Sequence, residues 1–175
     1  MARCAYCNTL ILLGGVRNGE RRFCNAKCQQ QGMTLDVSNA LPADLVEQQV
    51  RQLHQGQCPA CQGAGPVDVH TSYFVWSALL LTSWQSKPHI CCRKCGIKKQ
   101  AGDAVLSCLV GWWGFPWGLF ITPIQIVRNV VAISSPPSPA APSPNLERLV
   151  RLAIASNLMA QAPPPAAPAP PKTNG

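Results

Sequence analysis

Eight of the ten cysteines fall in four close pairs, Cys4 with Cys7, Cys24 with Cys28, Cys58 with Cys61, and Cys92 with Cys95, and nothing else in the sequence constrains the fold as tightly. Two cysteines separated by two residues set both thiolates on one side of a tight loop, the spacing a tetrahedral Zn²⁺ needs at about 2.3 Å from each sulfur. A disulfide framework would instead join distant segments. The expectation is two structural Zn²⁺ ions per chain, each closed by four cysteines. Catalysis usually leaves one coordination position open for water, which speaks against a catalytic zinc. Cys91 and Cys108 are left over. Cys91 is an alternative to Cys92, with the two-residue spacing favouring Cys92, and Cys108 is expected to be simply buried. His70 is the one histidine to weigh as an extra ligand, against an ordinary hydrogen-bonded place in a strand.

Small modules need such ions. Of the 175 residues, 17 are proline, and most of these lie in the last quarter, which shrinks the part that can build a core. Modules below roughly 70–80 residues seldom bury enough apolar surface to fold unaided. The first 15 residues carry only a very short apolar run, 10–13, and no secretory pattern, so a reducing compartment is expected. The formal charge of +8 counts every cysteine as neutral. Eight thiolates subtract eight charges and two Zn²⁺ restore four, leaving about +4, a mild basic excess.

The chain reads as a small α+β protein with residues 1–32 as a first cysteine module and 33–57 as a helical connector. Pro42 suits the connector's helix start, Leu45, Val46, Val50 and Leu53 recur at helical spacing, and Gly56 follows as a stop. Residues 58–103 hold the second module. Its pairs are separated by a run, 67–90, rich in Val, Tyr, Phe, Trp and Thr and broken at Lys87-Pro88, which suits two strands, although 72–84 could be helical. Residues 104–133 form an apolar, Trp-rich segment, and 134–175 a Pro-rich tail expected to be disordered apart from a helix near 145–161 capped by Asn145.

Around the first two pairs, the phrase Arg22-Phe23-Cys24-Asn25-Ala26-Lys27-Cys28 resembles the treble-clef fingers of the MYM, FCS and TRASH type. The resemblance implies that Cys4, Cys7, Cys24 and Cys28 are ligands and that a short helix begins at 27–31. The second module, with Cys58, Cys61, Cys92 and Cys95 and with Pro59 and Gly63 beside the first knuckle, looks like a zinc ribbon with an unusually long loop. Residues 1 to about 130 also resemble a widespread bacterial family of paired-cysteine proteins, through Phe74-Val75-Trp76-Ser77, Thr82-Ser83-Trp84, Cys92-Arg93-Lys94-Cys95-Gly96 and Gly111-Trp112-Trp113-Gly114-Phe115-Pro116-Trp117-Gly118. That likeness implies a zinc-binding, membrane-associated protein and supplies no substrate.

Trp112, Trp113, Phe115 and Trp117, interleaved with glycine and proline, suit the boundary between lipid and water. Arg93, Lys94, Lys98 and Lys99 precede the apolar run and would attract anionic lipid. The uncharged run is long enough to span once, while Gly114-Phe115-Pro116 argues for a bend and a re-entrant hairpin. The leading expectation is a zinc-binding adaptor on the cytoplasmic face of a membrane, its tail and last helix reaching for a protein partner. The alternatives are nucleic-acid binding through Arg17, Arg21, Arg22 and Lys27 with the second basic cluster, and metal or redox sensing by thiolates. No P-loop, H-E-x-x-H or G-x-S-x-G is present, so neither an enzyme nor a small-molecule substrate is expected.

Overall fold

The computed structural model describes residues 2–79 and 81–161; the Pro/Ala tail anticipated at 162–175 lies outside the described residues. The chain divides into two compact units, Met1–Pro42 with Arg151–Gly175, and Ala43–Val150. Five helices and three two-stranded sheets are described, a small mixed α/β architecture.

The first unit opens on a loop between β1 (Ala2–Arg3) and β2 (Leu10–Ile11), followed by a hairpin of β3 (Val16–Asn18) and β4 (Arg21–Phe23) and then by α1 (Ala26–Ala40). Asn25 caps α1, accepting the Cys28 N–H at 2.9 Å, so the chain leaves β4 and turns at once into a helix. The core is small: Phe23, Ile11 and Cys4, with Cys24 and Cys28 packed against them. Gly32 lets α1 lie directly on the Phe23 ring, since a Cβ there would stand 2.8 Å from Phe23 Cε1. Gly32→Ala is therefore expected to lower stability by about 1–3 kcal/mol despite alanine's better helix propensity, because the buried ring has nowhere to go. Thermal unfolding of the metal-loaded chain measures it, and an unchanged or raised melting temperature would show that the ring moves freely.

The second unit begins with α2 (Ala43–Gln55), which starts after Pro42 and ends before Gly56 as its sequence signals require, and buries Val46, Val50 and His54. A loop from Cys58 to Gly63 leads to β5 (Val67–Ala78), which pairs antiparallel with β6 (Leu81–Cys92) along its whole length, from Val67↔Cys92 to Ala78↔Leu81. Residues 72–84 are thus strand and turn, not helix. Lys87-Pro88 does not break the run. Thr71, paired with Pro88, points its carbonyl away from β6, so Pro88 in turn faces the outer edge, where a missing N–H costs no ladder bond. The turn falls at Leu79, whose φ is +53°.

Helices α3 (Arg93–Val110) and α4 (Trp117–Ser134) follow, packed on β5 and on each other. The 103/104 boundary expected between the second module and the apolar segment falls inside α3. α3 carries the chain from the second cysteine pair into the apolar region without a break, and the apolar run divides later, at 111–116. A last helix, α5 (Pro144–Gln161), covers the stretch expected near 145–161, but its cap is Ser143, whose hydroxyl accepts the Leu146 N–H at 3.2 Å, and not Asn145, which lies within the first turn.

Polar side chains fill the space between β5, α3 and α4. Asn129 donates to the Tyr73 carbonyl (2.6 Å) and accepts from the Tyr73 N–H (2.9 Å), Gln100 donates to the Thr71 carbonyl (3.0 Å), and Ser107 accepts from the Val75 N–H (3.1 Å). At the hairpin tip the Leu79 N–H donates to the Trp113 carbonyl and the Phe115 N–H to the Leu79 carbonyl, both at 3.0 Å. Together these groups bind the edge of β5 that β6 leaves free. Gly114 and Gly118 allow the loop to close on Ser77, for a Cβ on either would lie within 3.0 Å of the Ser77 side chain.

Candidate metal centres

Each unit holds one cluster of four cysteines. Cys4, Cys7, Cys24 and Cys28 form the first and Cys58, Cys61, Cys92 and Cys95 the second, with all four sulfurs of each within 4.8 Å of one another. Cys7 Sγ and Cys24 Sγ stand 3.4 Å apart, and Cys61 Sγ and Cys92 Sγ 3.7 Å. A tetrahedral ion about 2.3 Å from each sulfur sets its ligands about 3.8 Å apart, so both clusters are placed to hold a metal ion.

The two sites are built alike. A tight loop supplies the first pair: Asn8 N–H donates to the Cys4 carbonyl and Gln62 N–H to the Cys58 carbonyl, with Asn8 and Gln62 both at positive φ, 58° and 57°. A hairpin then brings back the second pair, and its last ligand lies in the first turn of a helix, Cys28 on α1 and Cys95 on α3. The N–H of the third cysteine donates to the sulfur of the first in each case, Cys24 to Cys4 at 3.4 Å and Cys92 to Cys58 at 3.2 Å. The second site is accordingly not a ribbon of two knuckles joined by strands. Cys92 stands at the N-cap of α3 and Cys95 within it. Three residues apart on a helix, as in a knuckle, two side chains share one face, which is why the spacing alone suited both.

Thiol electrostatics follow from this wiring. Burial pushes Cys4 and Cys58 up, yet the backbone N–H groups aimed at them outweigh it and leave both thiols lowered to about 6. Cys24 and Cys95 are pushed up to about 12, chiefly by side-chain hydrogen bonds with Cys7 and Cys61 respectively. Four adjacent thiols cannot all ionise on their own, and a bound divalent cation would supply the missing charge.

Cys91 sits outside the second cluster, fully buried against Cys58 and Val67, and burial pushes its thiol up to about 11. Cys92 takes the ligand position, on the opposite face of β6. His70 belongs to neither cluster: α3 packs on its ring at Gly96, where a Cβ would stand 2.3 Å from His70 Cγ. Cys108 is exposed on α3, which corrects the expectation of burial. It lies next to Ser107, and it is Ser107 that faces β5.

Arg93, Lys94, Lys98 and Lys99 are exposed on the first turns of α3. In the first unit Arg21 is engaged by Asp36 at 2.6 Å and Arg22 turns to the Gly14 carbonyl, while Arg17 and Lys27 are exposed. Trp112, Trp113, Phe115 and Trp117 are all exposed, Phe115 the most at 77 %. They do not form a core over the second cluster. They continue an outward apolar surface made of Val105, Leu106 and Leu109 on α3, Leu119, Phe120, Ile124 and Val127 on α4, and Trp76, Leu79, Leu81 and Trp84 on the hairpin. Inside that surface Ser107, Thr122 and Asn129 are fully buried and Gln100 and Gln125 nearly so. Sequence reasoning passed over these interior residues. The signal was Gly118, Thr122, Gln125 and Asn129, spaced along one side of an otherwise apolar helix.

One helix among the described residues, α4, is long and apolar enough to cross a membrane. No family model, no curated protein and no solved structure matches this chain.

Proposed function

We propose that this chain is a structural zinc protein that docks on the cytoplasmic face of a membrane as an adaptor, its metal clusters in water and its apolar cap in lipid. The observation that carries the reading is the inverted distribution of polarity along α3 and α4, where Gln100, Ser107, Thr122, Gln125 and Asn129 are buried and Trp, Phe, Leu, Ile and Val face outward. In water this arrangement costs twice, through buried polar groups and exposed apolar area. In lipid it is the economical one.

The depth of the cap favours the re-entrant geometry over a single span. Arg128 stands over the Tyr73 ring and Lys87 over the Phe74 ring, each 4.8 Å from the centroid, which marks the level where charge begins. From there to Leu79 the strand advances about 20 Å at ~3.3 Å per residue, less than the ~30 Å of hydrocarbon in a bilayer. Val130 and Val131 extend the apolar stripe past Arg128 by less than one turn. Both ends of the α3–α4 hairpin return to the charged side. α3 begins at the second cluster, and the segment after α4 is tied to the foot of β5, where Ser143 donates through its N–H to Asp68 at 2.9 Å and the Pro139 carbonyl lies 3.3 Å from His54 Nε2.

Zinc is the metal that suits two closed sets of four thiolates with a structural role. The exposed lysines and arginine at the start of α3 lie on the charged side, where anionic headgroups of a reducing compartment would meet them. α5 and the proline-rich sequence beyond it are the parts that would reach a protein partner.

Fractionation of the full-length chain with metal analysis of each fraction tests the reading. The expected result is recovery in membranes with about two zinc per chain. A variant with Trp113, Phe115 and Trp117 all replaced by serine is expected to move largely to the soluble fraction with its metal content unchanged, since each aromatic contributes roughly 1.5–3 kcal/mol of transfer. Equal partitioning of this variant and the natural chain would sink the membrane placement.

A further inference from the structure

Between β6 and the middle of α3 lies an open pocket of about 260 Å³, lined by Lys87, His89, Lys99, Gly102, Asp103 and Leu106. Its charges do not satisfy one another. Among the described residues Lys87, Lys99 and Asp103 form no ion pair, and Lys87 rests on the Phe74 ring. Burial first, then Lys99 and Lys87 against an opposing Asp103, holds the His89 ring below its ordinary range, so the positive charge here belongs to the two ammonium groups. The pocket crosses the level where charge begins. At its shallow end Lys99 adjoins Gln100, which bonds Thr71, and at its deep end Leu106 adjoins Ser107, which bonds Val75. Along β5 those two levels are about 13 Å apart at ~3.3 Å per residue. Leu106 is exposed and belongs to the outward apolar surface, so one end of the pocket is charged and the other opens onto the cap.

We propose that this pocket holds the phosphate of one membrane phospholipid whose headgroup carries N–H or O–H donors. The inference rests on the membrane placement proposed above. A phosphodiester bears one negative charge and strong acceptor oxygens, and two ammonium groups from separate elements, Lys87 on β6 and Lys99 on α3, flank the space that would receive it. Asp103, the one carboxylate of the lining, disfavours a bare anion and suits a headgroup that has donors beside its phosphate, the ammonium of ethanolamine or the hydroxyls of glycerol. A choline headgroup has no such hydrogen to give. Leu106 leads from the pocket to the apolar cap, so an acyl chain follows it into the hydrocarbon while the phosphate stays with the lysines. Gly102 keeps the wall between them open, for a Cβ there would meet no atom within 4 Å.

Native mass spectrometry of the full chain, recovered in mild detergent from vesicles of phosphatidylethanolamine, phosphatidylglycerol and phosphatidylcholine, counts and identifies the lipid that stays bound. The natural chain is expected to keep one phosphatidylethanolamine or phosphatidylglycerol. Lys87→Gln with Lys99→Gln is expected to lower that occupancy by roughly tenfold or more, whereas Lys94→Gln with Lys98→Gln, the same change of charge outside the pocket, leaves it in place. Gly102→Leu alters no charge and favours the helix, yet it narrows the pocket and is expected to expel the lipid while the chain still enters vesicles. Metal content of two per chain certifies the fold of each variant. Vesicle entry with no lipid retained, retention that all variants share, or an equal carry-over of phosphatidylcholine would overturn the inference and leave the membrane placement standing. The chain stripped of lipid and given inorganic phosphate is expected to carry none, and equal occupancy by that ion would assign the pocket to a soluble phosphate instead. A chain that stays out of the vesicles rejects the membrane placement itself, and the lipid site with it.

Discussion

Cys95→Ser is expected to halve the metal content of the chain and to abolish the cooperative unfolding of the second unit. The reason lies in how few other forces close the junction of β6 and α3. Around the second cluster the buried apolar residues are Cys58, Val67 and Cys91, with little beyond Ile90 packed on them, and around the first they are Cys4, Ile11 and Phe23. Such cores supply far less than the conformational entropy of the loop, hairpin and helix they would have to order. Binding free energy of a structural four-ligand zinc site is about 10–16 kcal/mol, comparable with the whole ~5–15 kcal/mol stability of an ordinary domain, and it is folding free energy when the unfolded chain has no site. Cys24→Ser is expected to do the same to the first unit, leaving one metal in each variant. Circular dichroism with metal analysis reads both, and a Cys95→Ser chain that keeps two metals or its full melting transition would remove Cys95 from the ligand set.

The same sites dictate a pH response. All four thiols must lose their protons to hold the ion, so protons compete with the metal and its apparent affinity rises with pH. Cys4 and Cys58, lowered to about 6, are already largely thiolate at pH 7, whereas Cys24 and Cys95, pushed up to about 12, give up their protons only to the cation. Binding at neutral pH therefore releases protons. Metal is expected to leave as the medium is acidified below about 6, where Cys4 and Cys58 are reprotonated as well. A chelator competition run from pH 8 to pH 5 measures this, and an affinity independent of pH would exclude thiolate ligation.

How far the sequence spoke depended on whether a signal was local. Pro42 and Gly56 bracket α2, because caps act over a few residues, and the resemblance around Cys24 and Cys28 set a helix start at 27–31, beside the Ala26 where α1 begins under its Asn25 cap. The eight cysteines that cluster could be named from spacing alone. The hairpin could be anticipated from its β-branched and aromatic residues but not its turn, since Lys87-Pro88 reads as a break until the outer edge of β6 is known to need no N–H there. Cys92 and Cys95 show the limit of spacing: the same interval serves a knuckle and a helical first turn, and only the helix that follows tells them apart. The uncharged run was visible as apolar, yet its division into α3, a loop and α4 depended on the hairpin tip at Leu79, a contact thirty-odd residues away in sequence. Least legible was the polar interior, because Gln100, Ser107 and Asn129 face a strand edge that no local pattern announces.

That interior can be tested at Asn129, where hydropathy and structure predict opposite results. Asn129→Leu makes α4 more apolar and a slightly better helix former, so a helix judged on composition alone should gain from it. Yet the amide is fully buried and occupies both the N–H and the carbonyl of Tyr73. Leucine would leave two backbone groups without partners in a site closed to water, at about 1–3 kcal/mol for each. The expected result is a loss of roughly 2–5 kcal/mol in the stability of the vesicle-bound, metal-loaded chain, with vesicle association undiminished. Val130→Asn, one residue on and exposed, carries the same change in reverse. Facing outward, it should leave the fold intact and weaken association with the vesicles instead. If Asn129→Leu melted with the natural chain, the edge of β5 would not need its side-chain brace. If Val130→Asn proved as costly to the fold as Asn129→Leu, the two faces of α4 would not differ in the way that its inverted polarity requires.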